Sequence, residues 1–189
     1  MRLWVKVFLI MILLPILIGG VVLLLAGRPL AFQVLQQRTA SKFPEVQWIT
    51  TEDLARWRAD SSRAQPVVLD ARTEPEFEVS HLKGATLIDP DKPSLRPLQG
   101  MPRDTALVLY SSAGYRGARV ASWLAKAGYT KGLNLSGGLF LWANEARPLL
   151  KGDNRPTALV HPYDPRWGLL VEKRYRAAVP EVRTPSAAP

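Results

Sequence analysis

The six residues at positions 111–116 have the composition of a loop that could bind an anion. The apolar run 106–110 before them predicts a buried strand, and the segment 117–126 after them has helical periodicity. A strand that turns through small residues into a helix directs several backbone N–H groups toward one point, where the helix dipole adds positive potential. The loop residues are Ser111, Ser112, Ala113, Gly114, Tyr115 and Arg116.

Arg116 is the one charged residue of this loop, and its side chain has two alternative roles. A guanidinium group offers a planar fork of donors that suits a sulfate-like or phosphate-like group. An ordinary strand-to-helix turn with a solvent-facing arginine is the alternative, and from this segment alone it is the simpler interpretation. The loop alone therefore leaves both interpretations open.

The elements that would position the loop alternate along the chain. Short β-rich runs are followed by helical patterns, and four prolines between positions 89 and 103 predict a loop there. This alternation predicts an α/β fold, a single domain with a mostly parallel central sheet flanked by helices. The predicted strands are 46–49, 67–69, 85–88, 106–110 and 133–135, and the predicted helices start near Thr50 or Thr51 and cover 74–81, 117–126 and 139–147.

Four segments, in order along the chain, resemble the rhodanese-like domain family. The match covers about residues 45–150 and implies a sulfurtransferase fold, with 111–116 as the active-site loop. The segments are Val-Val-Leu-Asp-Ala-Arg at 67–72, Glu-Pro-Glu-Phe at 74–77 with His-Leu-Lys-Gly-Ala at 81–85, Leu-Val-Leu-Tyr at 107–110 with the loop, and Leu-Ser-Gly-Gly at 135–138 with Trp142.

The resemblance implies a catalytic cysteine at the first loop position, and this chain has Ser111 there. In the family that cysteine carries a sulfane sulfur as a persulfide, which the loop amides and the final arginine stabilise. The chain contains no cysteine at all. A hydroxyl ionises far less readily than a thiol, and a serine nucleophile would need a positioned base, whereas no histidine lies near the loop in sequence. We therefore name no catalytic residue and expect no thiosulfate sulfurtransferase activity.

Several charged residues outside the loop have structural roles in this interpretation. Asp70 and Arg72 end the first core strand, and the resemblance implies that they support the loop as a buried ion pair. His81 has a structural counterpart in the family, so we expect no catalytic role for it. The alternating acids of the following segment are predicted to form a solvated face, and they are Glu74, Glu76 and Glu78.

Composition excludes other classes of function. The formal net charge of +9 is spread along the chain without a concentrated basic patch, so nucleic-acid binding is not expected. The absence of cysteine removes thiolate zinc sites and disulfides. The two histidines, His81 and His161, and the dispersed carboxylates predict no metal site, and no cofactor is expected.

The segment 7–27 is predicted to be a transmembrane helix that anchors the chain. Its 21 residues carry no charge, and a helix of this length spans roughly 30 Å, the thickness of a bilayer core. A cleaved signal peptide is the alternative, although its apolar region is usually shorter. Basic residues lie on both sides of the segment, so the positive-inside rule scarcely decides the orientation. We favour a single-pass protein whose domain lies on the exported, periplasmic or extracytoplasmic, side.

The predicted organisation is a basic segment 1–6, the membrane helix 7–27, a linker 28–44, the rhodanese-like domain 45–150 and a proline-rich extension 151–189. The extension contains six prolines and is expected to be disordered from Ala178 onward, with room for one short element within 165–175. The resulting hypothesis is a membrane-tethered module that binds a small oxyanion or a protein partner through the loop. Altered transferase or hydrolase chemistry at Ser111, and a structural domain with a vestigial loop, are the alternatives.

Overall fold

The computed structural model describes residues 2–152 and 154–178, with the side chains of most residues between positions 2 and 26 outside the description. Five helices and seven strands form these parts of the chain. The helices are α1 (Arg2–Lys42), α2 (Thr51–Ala59), α3 (Glu74–Val79), α4 (Tyr115–Lys126) and α5 (Gly138–Asn144). The strands are β1 (Gln47–Ile49), β2 (Val67–Asp70), β3 (Ala85–Leu87), β4 (Leu107–Tyr110), β5 (Gly132–Leu135), β6 (Leu149–Leu150) and β7 (Pro156–Thr157).

The main sheet is parallel and has the strand order β1-β5-β4-β2-β3. Strand β4 lies at its centre, and all four of its residues are buried. A fully apolar strand is typical of a parallel sheet covered on both faces. The predicted α/β fold with a mostly parallel sheet and flanking helices is thus confirmed, and the loop that follows β4 emerges from the middle of the sheet.

Two apolar clusters cover the two faces of the sheet. Val68 and Val108 belong to the cluster that contains α2 and α5, whereas Leu69 and Leu109 belong to the cluster that contains α4. Successive residues of a strand point to opposite faces, so each central strand contributes to both clusters. Trp142, which is part of the family resemblance, is buried in the first cluster.

The ends of the helices follow local chemistry. Thr50 caps α2, because its hydroxyl oxygen accepts a hydrogen bond from the Asp53 backbone N–H at 3.0 Å. Gly128 lies just beyond α4 with φ +92°, a left-handed conformation that glycine adopts without steric cost. These helix boundaries agree with the sequence prediction to within two residues or so.

Helix α1 extends through most of the segment predicted to be a linker. It ends at Lys42, and its C-terminal part packs against α4 and the 3-10 turn Trp167–Leu170. Phe32 and Thr39 are buried in this contact. The prediction of a linker over 28–44 is wrong for 28–42, because apolar residues on one face of the helix give it a surface to pack against.

The predicted membrane segment 7–27 is helical in backbone, and most of its side chains lie outside the described residues. Where the residues are described, no helix combines the length and apolar character that a membrane span requires. The anchor therefore stays a prediction.

The residues after 150 return to the domain. Strands β6 and β7 pair antiparallel. The chain then makes two 3-10 turns, Trp167–Leu170 and Lys173–Tyr175, in the region 165–175 where the sequence analysis allowed for one short element. Val160 and Val171 are completely buried in the first apolar cluster. The part of the extension up to position 178 is thus integral to the core, and the predicted disorder falls almost wholly on residues 179–189, which lie outside the described residues.

Replacement of Val160 by alanine should lower the free energy of unfolding by about 1–3 kcal/mol, because it removes two fully buried methyl groups. Leu159→Ala is the matched control, since the neighbouring Leu159 is 43% exposed. Denaturant unfolding of the full chain in mild detergent measures both variants. Equal stability of V160A and L159A would contradict the placement of this segment in the core.

Candidate functional site

The loop after β4 is compact and buried. Ser111 and Ser112 are 2% and 6% exposed, and the Gly114 N–H donates to Ser111 Oγ at 3.2 Å. Gly114 has φ +104°, which favours glycine, and Asn134 Nδ2 donates to its carbonyl at 2.9 Å. Helix α4 begins at Tyr115, so the last two residues of the predicted six-residue loop form the first turn of a helix.

Helix α5 holds the loop from behind. The Leu139 and Phe140 N–H groups each donate at 2.9 Å, to the carbonyls of Ser111 and Ser112 respectively. Gly138 makes this approach possible, because a Cβ there would overlap the Ser111 carbonyl oxygen. The two loop carbonyls are therefore turned toward α5.

The amides at the other side of the loop are available to a ligand. The N–H groups of Ser112, Ala113, Tyr115 and Arg116 have no acceptor within the described part of the chain. They cluster at the start of the 12-residue helix α4, whose dipole favours an anion. This is the arrangement that the sequence predicts for an anion cradle, although anion binding itself stays a prediction.

The guanidinium of Arg116 is bonded to a carboxylate of the protein itself. Its Nη1 and Nη2 donate to Glu76 Oε2 and Oε1 at 2.7 and 2.6 Å, and Nη2 also donates to Ser112 Oγ at 2.9 Å. The Ser112 hydroxyl donates in turn to Glu76 Oε1 at 2.8 Å. Glu76 thus takes the position beside Arg116 that the sequence analysis assigned to a bound oxyanion.

The prediction of a solvated face is wrong for Glu76, which is 1% exposed. The prediction took acids at every second position as one exposed face, but this segment is a helix, where residues two apart do not share a face. Glu76 is the third residue of that helix, α3. There it completes a capping box with Thr73, whose backbone N–H donates to Glu76 Oε2 at 3.1 Å. That position turns the carboxylate inward, whereas Glu74 and Glu78 are exposed as predicted.

The charge state of Glu76 follows from its neighbours. Burial by itself would raise the pKa of the carboxyl group, but the hydrogen bonds and charge of Arg116 and the charge of Arg72 outweigh it. The pKa of Glu76 falls from 4.5 to about 2. Its carboxylate is therefore ionised at neutral pH and a weak base.

Asp70 and Arg72 form the buried ion pair that the sequence predicts. Arg72 Nε and Nη2 donate to Asp70 Oδ1 and Oδ2 at 2.8 and 2.7 Å, and both side chains are inaccessible to solvent. The Tyr110 hydroxyl donates to Asp70 Oδ2 at 2.6 Å and accepts the Leu82 N–H. Because Tyr110 precedes the loop, this network fixes the end of β4 and supports the loop indirectly.

His81 lies in a structural position, in agreement with the sequence prediction. Its Nδ1 is 3.1 Å from the Phe77 carbonyl, and its ring stacks on Phe77 at a centroid distance of 4.0 Å. The backbone of His81 pairs with Leu150 in β6. No hydrogen bond among the described residues joins His81 to the loop.

A cavity of about 440 Å³ lies over the loop, and its outer wall comes from residues that the sequence analysis did not select. Tyr163 and Trp167 reach it from the C-terminal segment, and the Tyr163 ring lies 4.7 Å from the Arg116 guanidinium. The only signal for this segment was its group of aromatic and apolar residues among prolines. Helix α1 supplies the rest of the wall with Leu35, Arg38, Thr39 and Lys42.

His161 is a further group close to the charged network. Burial is the main cause that lowers the pKa of His161. The negative charge of Glu76 acts to raise this pKa, and the positive charges of Arg72 and Arg116 act to lower it. Its Nδ1 accepts the Tyr163 backbone N–H at 3.0 Å, which leaves a proton on Nε2 in the neutral ring.

The site lacks the partners that would activate a hydroxyl nucleophile. Within the described residues, the Ser111 hydroxyl has one hydrogen-bond partner, the Gly114 N–H, which is a donor and not a base. The Ser112 hydroxyl bonds to Glu76, whose low pKa makes it a poor proton acceptor. No group of three or more potential metal ligands occurs in the described parts of the chain.

Residues 50–145 match the family model of the rhodanese-like domain, and this match covers half of the chain. The chain belongs to the rhodanese-like family. The probable adenylyltransferase/sulfurtransferase MoeZ of Mycobacterium tuberculosis is 34% identical over 101 residues, 53% of this chain and 25% of that protein. The tRNA uridine(34) hydroxylase of Bacillus thuringiensis is 33% identical over 94 residues, 46% of this chain and 28% of that protein. The rhodanese-like chain thus spans about a quarter of the length of these relatives.

Two solved structures align with this rhodanese-like domain. A protein from Bacillus halodurans aligns with a TM-score of 0.50 and 16% identity, over 63% of this chain and 85% of that chain. A rhodanese-related protein from Thermoplasma volcanium aligns with a TM-score of 0.46 and 22% identity, over 55% of this chain and 97% of that chain.

The Glu76 carboxylate should make stability depend on acid pH. Its folded-state pKa, about 2, lies below the ordinary value of 4.5, so its contribution is complete above pH 4.5 and is lost as the pH falls toward 2. The shift corresponds to about 3 kcal/mol. Unfolding free energies measured between pH 2 and 6 should show a shallower pH dependence for Glu76→Gln than for the wild type.

Glu76→Gln should also destabilise the domain at pH 7 by about 3–5 kcal/mol, because Arg116 loses its buried partner. Glu74→Gln, at an exposed position of the same helix, is the control and should keep both the stability and the acid transition of the wild type. If E76Q leaves the acid transition unchanged, the pH dependence of the free energy of unfolding comes from other carboxylates.

Proposed function

We propose that this chain is a membrane-tethered rhodanese-like domain without thiosulfate sulfurtransferase activity, whose loop site binds a small oxyanion or an acidic group of a protein partner. The observation that carries the proposal is Ser111 at the head of an ordered loop in a chain without cysteine. The loop is buried, bonded to α5 and backed by the Asp70–Arg72 pair, so its geometry does not depend on a reactive sulfur.

The loss of sulfur transfer follows from chemistry at Ser111. A persulfide needs a sulfur nucleophile, and an oxygen in its place lacks both the polarisability and the accessible anion. The described neighbours of Ser111 include no base that would compensate. No observation favours altered hydrolase or transferase chemistry at this residue.

The binding role is supported by free donors and by unpaired cations around the cavity. Arg116 is neutralised by Glu76, so it contributes shape and dipole rather than net charge. Arg38 and Lys42 also line the cavity, and neither has a carboxylate partner among the described residues. The nearest fixed contact of Lys42 is the Tyr115 hydroxyl at 2.6 Å, which is itself at the cavity wall.

The anion test should therefore alter Arg38 and Lys42 rather than Arg116. An Arg116→Ala change would leave the buried Glu76 carboxylate unpaired and would destabilise the fold, which confuses binding with stability. Calorimetric titration of the full chain with thiosulfate should give saturable binding, weakened about tenfold or more in R38Q/K42Q. A K92Q/R96Q chain, with two exposed cations changed outside this cavity, is the control. Absence of thiosulfate binding by the wild type would favour a vestigial loop.

Sulfur transfer provides a second test. The wild type should form no thiocyanate from thiosulfate and cyanide. In Ser111→Cys the thiolate should attack the outer sulfur of thiosulfate, form a persulfide and release sulfite, because a thiolate at this position faces the Gly114 N–H and the N-terminus of α4. Ser112→Cys is the matched control: its sulfur would replace a hydroxyl that is bonded to both Glu76 and Arg116, whose charges offset each other, and that has no loop N–H as a partner. Mass spectrometry detects the added sulfur, and thiocyanate formation by the wild type would refute the proposal.

Membrane tethering is testable through the segment 7–27. The full chain should remain in the membrane fraction after washing with high salt and alkaline carbonate. Ile16→Arg combined with Leu17→Arg should release it, because each charge near the centre of a membrane helix costs about 3 kcal/mol. Protease accessibility of the domain in sealed vesicles then reports its side of the membrane, which we propose to be the exported one. Retention of the double variant in washed membranes would contradict an anchor in 7–27.

A further inference from the structure

A second cavity adjoins the cavity over the loop along helix α1. The second cavity has a volume of about 640 Å³, and the two share Leu35 and Trp167 in their walls. Their walls together extend from Gly27 to Lys42 on α1 and include residues of the C-terminal segment, and we call the two adjoining cavities the groove. Ligand pockets for small molecules commonly have volumes of this order.

The two ends of the groove differ in chemistry. Leu30, Val34 and Leu170 line the end near Gly27 together with one cation, the exposed Arg166. Leu30 is 54% exposed although it is a large apolar residue. The other end has the loop hydroxyls together with Arg38 and Lys42. Among the residues that the structure describes, no aspartate or glutamate lines either cavity. An occupant that matches both ends has an apolar chain and a single anionic head.

We infer that the groove binds a single-chain anionic amphiphile of the long-chain fatty acid class. Its carboxylate lies among Arg38, Lys42 and the loop amides, and its alkyl chain lies along Leu35 and Trp167 toward Gly27. This inference rests on the proposed anion site, because the head group occupies the same end of the cavity. It adds an apolar chain to the ligand, and this chain fills the end of the groove that a small oxyanion would leave empty.

The place of the groove in the chain favours a lipid-like ligand over a soluble one. The apolar run 7–27 ends where the groove begins, at Gly27. In a chain tethered through that run, the apolar mouth of the groove faces the bilayer surface, where single-chain amphiphiles partition. Cations beside an apolar surface are the usual means by which proteins hold anionic lipid heads at such an interface.

Photo-crosslinking of the full chain in phosphatidylcholine nanodiscs tests the inference. The probe is tetradecanoic acid with a diazirine near the end of its chain, and peptide mass spectrometry locates the attachment. Crosslinks should fall within 30–35 and 167–170. Unlabelled tetradecanoate should compete at least ten times better than the neutral tetradecanol, because only the acid forms charge-assisted bonds at Arg38 and Lys42. Crosslinks confined to 7–27 would mean simple partition into the bilayer and would overturn the inference.

Two variants separate the ends of the groove. Val34→Asp places a charge in the apolar end and should abolish crosslinking at 167–170 while thiosulfate binding persists. R38Q/K42Q should remove the preference for tetradecanoate over tetradecanol, whereas the control K92Q/R96Q keeps it. Wild-type levels of crosslinking in V34D, or an unchanged preference in R38Q/K42Q, would contradict the inferred binding mode.

The outcomes distinguish this inference from the function on which it rests. Thiosulfate binding without competition by tetradecanoate would overturn the amphiphile and leave the anion site. If neither thiosulfate binding nor competition by tetradecanoate is observed, both the anion site and the amphiphile site are overturned. An acidic amphipathic peptide that displaces the probe more effectively than tetradecanoate would replace the lipid with a protein partner.

Discussion

The architecture of the site depends on one buried contact, the bidentate pair between Glu76 and Arg116. It joins the first turn of α3 to the first turn of α4, 40 residues apart in sequence, and includes the Ser112 hydroxyl. Two desolvated charges are stable only when each satisfies the other, so the contact fixes both helix starts and the loop between β4 and α4. Because Glu76 neutralises the charge of Arg116, the positive potential in the cavity comes mainly from Arg38 and Lys42 on α1.

Helix α1 and the C-terminal segment turn an exposed loop into an enclosed site. The matched domain, 50–145, contains the loop but neither wall of the cavity above it. Lys42 is bonded to Tyr115 from one side, and Tyr163 covers Arg116 from the other. The approach to the loop is therefore lined by residues outside the common domain.

Local patterns predicted the fold and half of the site. The apolar runs that form the strands, the Asp70–Arg72 pair and the position of Ser111 are each recognisable from residues close together in sequence. The burial of Glu76 was missed because it depends on Arg116, which lies far away in sequence, and on a capping box that mimics an alternating surface pattern. The segment 151–178 was missed because its 3-10 turns and irregular backbone have no period from which burial can be inferred.

The hydrogen bonds from α5 to the carbonyls of Ser111 and Ser112 have an evolutionary consequence. They hold the loop through its backbone, so the side chain at position 111 contributes little to the shape of the scaffold. Exchange of the oxygen at this position for sulfur would then leave in place the backbone bonds that hold the loop. A lineage in which binding matters more than turnover can keep such a domain intact long after its chemistry has gone.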